Sequence, residues 1–181
     1  MGIGVSSNVL YLSVSSGFLK NKKRGIETFS YTGYLRGVKR VEEEFEGKPV
    51  DKIILIMKDD KSDEDAQIKC TAESWYTATL FPRLALVDVT KPVTIGVSGS
   101  DKENSKASFA WVKQGGETIK VEKGTYPVVE KVKVGKKDVD SWEKVLENAD
   151  KIIARINETI GTPSDITTDP DAAENKDDLP F

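Results

Sequence analysis

The sequence predicts a mainly β fold: a small barrel, one long helix after it, and an acidic tail without a core. Three observations predict it. Between residues 26 and 113, short runs of β-branched and aromatic residues alternate with turn residues, and a single helix-like segment interrupts them. From 142 to 160 the apolar residues return at a helical period. From Thr162 onward the apolar pattern vanishes.

The elements follow in chain order. Residues 9–14 are β-branched and apolar with interleaved serines, an extra N-terminal strand. Residues 20–25 form an exposed basic turn closed by Gly25. Residues 26–41 are rich in Thr, Tyr, Phe and Val. They read as one long strand in which Gly33 and Gly37 allow a bend or bulge, the device by which a sheet coils into a small barrel. Residues 42–49 read as a charged connection. The unbroken apolar run within 52–58 has strand length and predicts burial on both faces. An acidic turn, 59–65, leads to a third strand at 67–71. Residues 73–86 are helix-like, with Tyr76, Leu80 and Leu84 on one face and Pro82 ending or kinking the helix. Trp75 and Tyr76 are expected to plug the barrel bottom. Strands at 92–97 and 107–113 follow, joined by a polar loop. Strand, strand, strand, helix, strand, strand is the order of a five-stranded OB-type barrel.

Beyond Gly115-Gly116, residues 118–134 predict a C-terminal hairpin turning near Gly124 or Pro127. Asp140 and Glu143 have the spacing of a capping box. The long C-terminal α-helix then carries Trp142, Val145, Leu146, Ala149, Ile152, Ile153, Ile156 and Ile160 as one stripe, stopped by Gly161. That stripe packs either on the barrel or against a second copy in a homo-oligomer. Residues 162–181 cannot bury enough surface to offset chain entropy and are expected to be disordered. The domain division is therefore 1–161 and 162–181.

The chain has 181 residues, a single cysteine, Cys70, and no histidine. Internal disulfides are impossible, and no thiolate–imidazole set exists for zinc. Neither metal nor cofactor is expected. No apolar run reaches membrane-spanning length, and residues 1–9 lack the basic flank of a signal peptide, so a cytoplasmic location is expected. The net charge of −3 is unevenly spread. Residues 162–181 hold six acids and one lysine, −5, which leaves +2 on residues 1–161. Within the body, Lys20, Lys22, Lys23, Arg24, Arg36, Lys39 and Arg40 face only Glu27 between positions 20 and 40.

The ending Asp177-Asp178-Leu179-Pro180-Phe181 resembles the C-terminal peptide of bacterial single-stranded DNA-binding proteins, in which aspartates precede a short apolar residue and a terminal Pro-Phe. The close resemblance covers about six residues. The rest of the chain departs from the bacterial pattern and points to a phage-type or divergent relative. The resemblance implies that Leu179, Pro180 and Phe181 anchor in a pocket on replication, recombination or repair proteins while Asp177 and Asp178 steer. A terminal ring, a restricted backbone and a free carboxylate suit an apolar pocket with a basic rim.

Single-strand binding without sequence preference needs cations for phosphates and rings on which bases stack. The region from 18 to 40 supplies both. Its candidates are Lys20, Lys22, Lys23, Arg24, Tyr31, Tyr34, Arg36, Lys39 and Arg40. Tyr34 with Arg36 is favoured for DNA, Phe29 for the core, and Tyr31 stays open. Phe109, Trp111 and Lys113 share one face of the last barrel strand and form a second set, facing either the barrel interior or the DNA. A protein-binding adaptor would keep the tail but not the affinity for DNA. A carboxylate nuclease would need Asp59, Asp60, Asp63, Glu64 and Asp65, which crowd one turn instead of coming from separate rigid elements. No phosphate-cradling Gly-x-x-x-x-Gly-Lys motif occurs, and no enzyme is expected.

Overall fold

The computed structural model describes residues 9–62 and 64–161. The stretch 162–181, with Asp177, Asp178, Leu179, Pro180 and Phe181, lies outside the described residues, as does Asp63. In chain order the elements are β1 (Val9–Ser15), β2 (Phe18–Asn21), β3 (Ile26–Thr28), β4 (Ser30–Phe45), β5 (Lys48–Asp59), β6 (Asp65–Thr71), α1 (Trp75–Leu84), β7 (Val93–Gly99), β8 (Ser108–Gln114), β9 (Glu117–Thr118), β10 (Glu130–Val134), β11 (Lys137–Ser141) and α2 (Glu143–Ile160). Among the described residues no helix is long and apolar enough to cross a membrane.

Nine of the strands form one curled sheet in the order β3-β2-β1-β6-β5-β4-β7-β8-β9, a half-barrel. Its pairings are antiparallel except β1 with β6. The five strands expected from the sequence are β4 to β8. They do not make a sheet of their own, because β1 takes the free edge of β6 and β9 that of β8. The curl brings the β1–β2 turn onto the β7–β8 end. There the Gly17 N–H donates to Ser108 Oγ at 2.9 Å. Gly17 has φ +83°, and a Cβ on it would sit 2.9 Å from Gly99 Cα, so only glycine fits this contact.

Alternation fills the interior. Leu12, Leu19, Leu35, Leu55, Ile68, Ile95 and Val112 point inward from successive strands and are fully buried. Each contributes about 1.5–3 kcal/mol relative to an exposed side chain. In β5, Ile53, Leu55 and Met57 face this core; Ile54, on the other face, is also covered, while Ile56 is half-buried. Helix α1 closes one end of the half-barrel. Ser74 caps it by accepting from the Thr77 N–H at 3.2 Å, and Pro82 sits in its last turn. Tyr76 is buried beneath it as expected. Trp75 instead is part-exposed and meets Trp142 edge-on at 5.3 Å.

Strand β4 pairs with β7 only over Ser30–Gly33, which leaves its edge open from Tyr34 onward. Helix α2 lies along this edge and buries Val145, Ala149, Ile152 and Ile156. The side-chain amide of Asn157 substitutes for a neighbouring strand: it donates to the Val38 carbonyl at 2.8 Å and accepts from the Val38 N–H at 3.2 Å. Arg40 adds ion pairs to Asp150 of α2 at 2.8 Å and to Asp51 at 2.6 Å. The apolar stripe of α2 therefore packs within this chain, against α1 and β4.

Several expectations are corrected. Residues 42–49 are not a connection: β4 and β5 run on to a two-residue turn at Glu46-Gly47, both at positive φ, and form a projecting hairpin. The strand expected over 26–41 breaks at Phe29, and the bulge falls between Leu35 and Gly37. The later hairpin is β10–β11, turning at Gly135-Lys136, not near Gly124 or Pro127. Asp140 does not cap α2. It belongs to β11 and pairs with Lys131, while Trp142 stands at the N-cap without a side-chain hydrogen bond.

Asn157→Ala leaves the buried edge of β4 without partners and is expected to cost about 1–3 kcal/mol. A urea denaturation midpoint equal to that of the wild type would show that this edge needs no cover.

Candidate nucleic-acid interface

Three strands repeat one local arrangement. In Phe18-Leu19-Lys20, Tyr34-Leu35-Arg36 and Trp111-Val112-Lys113 the central residue is 0 % exposed. Alternation then turns both flanking residues to the outer face of the sheet. In each triplet the cation lies over its ring: Lys20 Nζ 5.2 Å from the Phe18 centroid, Arg36 Cζ 5.3 Å from Tyr34, Lys113 Nζ 5.4 Å from Trp111. These distances are within cation–π range.

Register joins the triplets across the sheet. Lys113 is opposite Thr94 and Thr94 opposite Thr32, whose hydroxyl groups hydrogen-bond at 2.7 Å. Thr32 precedes Tyr34 on the same face. Trp111 is opposite Gly96, and a Cβ there would lie 2.0 Å from Trp111 Cε2, so the indole lies flat on the bare backbone of β7. A second row runs Lys39, Ile54, Lys69, Ser13, Lys20 over five strands. At the far end Phe29, 60 % exposed rather than in the core, packs on Phe18 with centroids 4.8 Å apart.

The residues picked from sequence fall into three groups. Tyr34, Arg36, Lys39, Lys20, Trp111, Lys113 and Phe109, which is opposite Ser98, share the outer face. Of these, Arg36, Lys39 and Lys113 have no ion-pair partner among the described residues, while Lys20 reaches Glu27 at 3.5 Å. Lys22, Lys23 and Arg24 project from the β2–β3 turn, with Arg24 3.8 Å from Glu64. Tyr31 and Arg40 lie on the core side. Arg40 is held by Asp51 and Asp150, whose hydrogen bonds and charges raise its pKa further. Tyr31 is opposite Ile95, and its hydroxyl is buried with no hydrogen-bond partner among the described residues. Burial, reinforced by the charges of Asp59, Glu64, Asp65 and Asp60, pushes its pKa up to about 12. Sequence reasoning named Phe18 among the rings of the 18–40 region without choosing it as a contact, and did not select Lys69. Both could have been found, since each flanks a buried aliphatic residue in a strand.

Asp59 Oδ1 accepts from the Lys61 and Ser62 N–H groups at 2.6 and 3.0 Å, and among the described residues no three potential ligands converge. A groove of about 660 Å³ beside β9 is lined by Leu86, Asp88, Gln114 and Ile119 among others. The Asp88 carboxylate accepts from the hydroxyl and N–H of Thr90, which lowers its pKa. Lys91, also in the lining, lies 3.6 Å from Asp88.

Comparison with protein-family models, with curated proteins and with solved structures found no match in any of the three.

A tyrosine whose folded pKa is raised holds its stabilising contribution below its unfolded value near 10 and loses it as pH rises toward 12. The fold should therefore weaken across that alkaline window, and Tyr31→Phe should weaken less. Denaturation midpoints at pH 8 and pH 11 measure the difference, and an equal drop in both proteins would contradict the assignment.

Proposed function

We propose that this chain binds single-stranded DNA without sequence preference, along the outer face of its sheet, as a binding protein and not as an enzyme. The observation that carries the reading is the threefold aromatic–cation triplet on β2, β4 and β8. Each ring offers a stacking platform worth about 1–3 kcal/mol per base, and each cation stands where the adjoining phosphate would pass. The row Lys39, Lys69, Lys20 carries further lysines across the sheet, Lys69 paired with Glu43 and Lys20 with Glu27.

Connectivity supports the same reading. The run β6-β5-β4-β7-β8, with α1 between β6 and β7, has the strand order of an OB barrel opened between its third and fifth strands. In that fold the face of the second and third strands binds oligonucleotides; here these are β5 and β6, with Lys58 and Lys69 on the outer face, Lys69 held by Glu43 at 2.8 Å. The resemblance of the last residues to the bacterial single-stranded DNA-binding tip supplies the second half of the function. Asp177 and Asp178 steer, Leu179, Pro180 and Phe181 anchor, and the partners are replication, recombination or repair proteins of the cytoplasm. The acidic tail, tethered at high effective concentration, competes with DNA for the cationic face and is released when DNA fills it.

Titration with oligo-dT should quench tryptophan fluorescence, with an affinity that falls steeply with salt, while duplex of equal length binds far more weakly. Trp111→Ala and Tyr34→Ala should each weaken oligo-dT binding about tenfold, within the range a stacking platform supplies. Absence of oligo-dT binding at low salt, with or without residues 162–181, would sink the reading. Truncation after Gly161 should tighten binding, most at low salt. An unchanged affinity would remove the competition but leave partner recruitment standing.

A further inference from the structure

Two hairpins project from the body, and the sheet face uses neither. The first is the end of β4–β5. Its register places Glu42 and Glu44 on one side, with Glu46 at the turn, all exposed and without an ion-pair partner among the described residues. The neighbouring acids are already engaged, Glu43 by Lys69 and Asp51 by Arg40. Phe45 and Val50 lie half-buried on its other side.

The second is the ribbon β10–β11. Lys133, Lys136 and Lys137 around its turn are exposed and form no ion pair within 4 Å among the described residues, with Lys133 opposite Asp138 in the register. One face of the ribbon is apolar. Val132 is opposite Val139, with Val134 beside them, and these valines are 40, 45 and 63 % exposed. A two-stranded ribbon gains little stability alone and needs a surface to pack on. No hydrogen bond or ion pair among the described residues joins the two hairpins within one chain.

We infer that the β10–β11 ribbon docks on the acidic β4–β5 hairpin of a second copy of this chain. Lys136 and Lys137, with Lys133 beside them, then meet the carboxylates of Glu42, Glu44 and Glu46, and the valine face, which Lys137 shares, meets Pro49, exposed opposite Glu44 on the carboxylate side. A nucleic-acid strand fits the ribbon less well, since phosphates leave the valines uncovered and meet Asp138 opposite Lys133. The contact is heterologous, because different patches meet, so it leaves a free ribbon at one end and a free acidic hairpin at the other. Such contacts extend in a line instead of closing as a dimer. The inference does not rest on the DNA-binding reading.

Sedimentation velocity of the full chain without DNA, over a range of protein concentrations, tests it. At low salt the mean sedimentation coefficient should climb past that of a dimer, and at about 0.5 M salt it should return to that of a monomer. The triple variant Glu42→Lys, Glu44→Lys, Glu46→Lys should stay monomeric, and so should Lys133→Glu, Lys136→Glu, Lys137→Glu, each with a wild-type circular dichroism spectrum. Mixing the two variants in equal amounts should restore association, because each then offers what the other lacks. A wild type that is monomeric throughout, or variants that still associate, would overturn the inference. So would a lysine variant that self-associates normally but binds a short oligo-dT more weakly; that result would give the ribbon to nucleic acid.

Discussion

A β-strand sends alternate side chains to opposite faces, so every residue committed to the core commits its two neighbours to the other side. Leu19, Leu35 and Val112 are among the most completely buried residues of the chain. Moving any of them outward would take a whole strand out of register with the core. The outer positions of Phe18, Lys20, Tyr34, Arg36, Trp111 and Lys113 are therefore not independent surface choices. They are held by the same packing that stabilises the fold, and a rigid sheet fixes a site more sharply than loops can. The bulge after Leu35 belongs to this constraint, since it bends β4 while Arg36 stays over the Tyr34 ring.

The open edge of β4 sets the second organising demand. A long unpaired edge exposes a row of backbone donors and acceptors and invites pairing with other chains. This chain covers part of it with α2, tied on by the two-way amide of Asn157 and by Arg40. The helix therefore explains the fate of one cation that had looked available for phosphate. Charge is sorted accordingly: lysines and arginines on the outer face, carboxylates on the β4–β5 hairpin, and balanced pairs at the helix.

Much of this was legible in the sequence where information is local. The stripe from Val145 to Ile156 repeats at a helical period and emerged as α2, and the triplets are readable as aromatic–aliphatic–cation within a strand. The misreadings have physical causes. Glu42, Glu43 and Glu44 hide the alternation of Val41 and Phe45, so a strand looks like a charged linker. Val132 and Val139 are exposed, so the ribbon carries no burial signal to locate it. Asp140 has the spacing of a helix cap, but its partner Lys131 lies across a hairpin that sequence spacing does not show. Arg40 resembled a DNA contact because Asp150, the group that occupies it, lies 110 residues away. Long-range pairing decides these cases, and no local pattern encodes it.

On the proposed single-strand reading, the cation over each ring bears on how the ligand would be received. At an exposed site a cation–π contact is worth about 0.5–1 kcal/mol, while a stacked base contributes about 1–3 kcal/mol. A base arriving on Tyr34 or Trp111 can therefore displace the guanidinium or ammonium from the ring and still gain free energy. The displaced cation is not lost to solvent, because its own strand holds it beside the ring, within reach of the phosphate attached to that base. In the unliganded protein the same cation shields an aromatic face that would otherwise lie bare to water and to other chains. For the proposed role, a pair that protects the platform when empty and would capture the backbone when filled needs both residues on one strand, two positions apart. That is the spacing at all three sites.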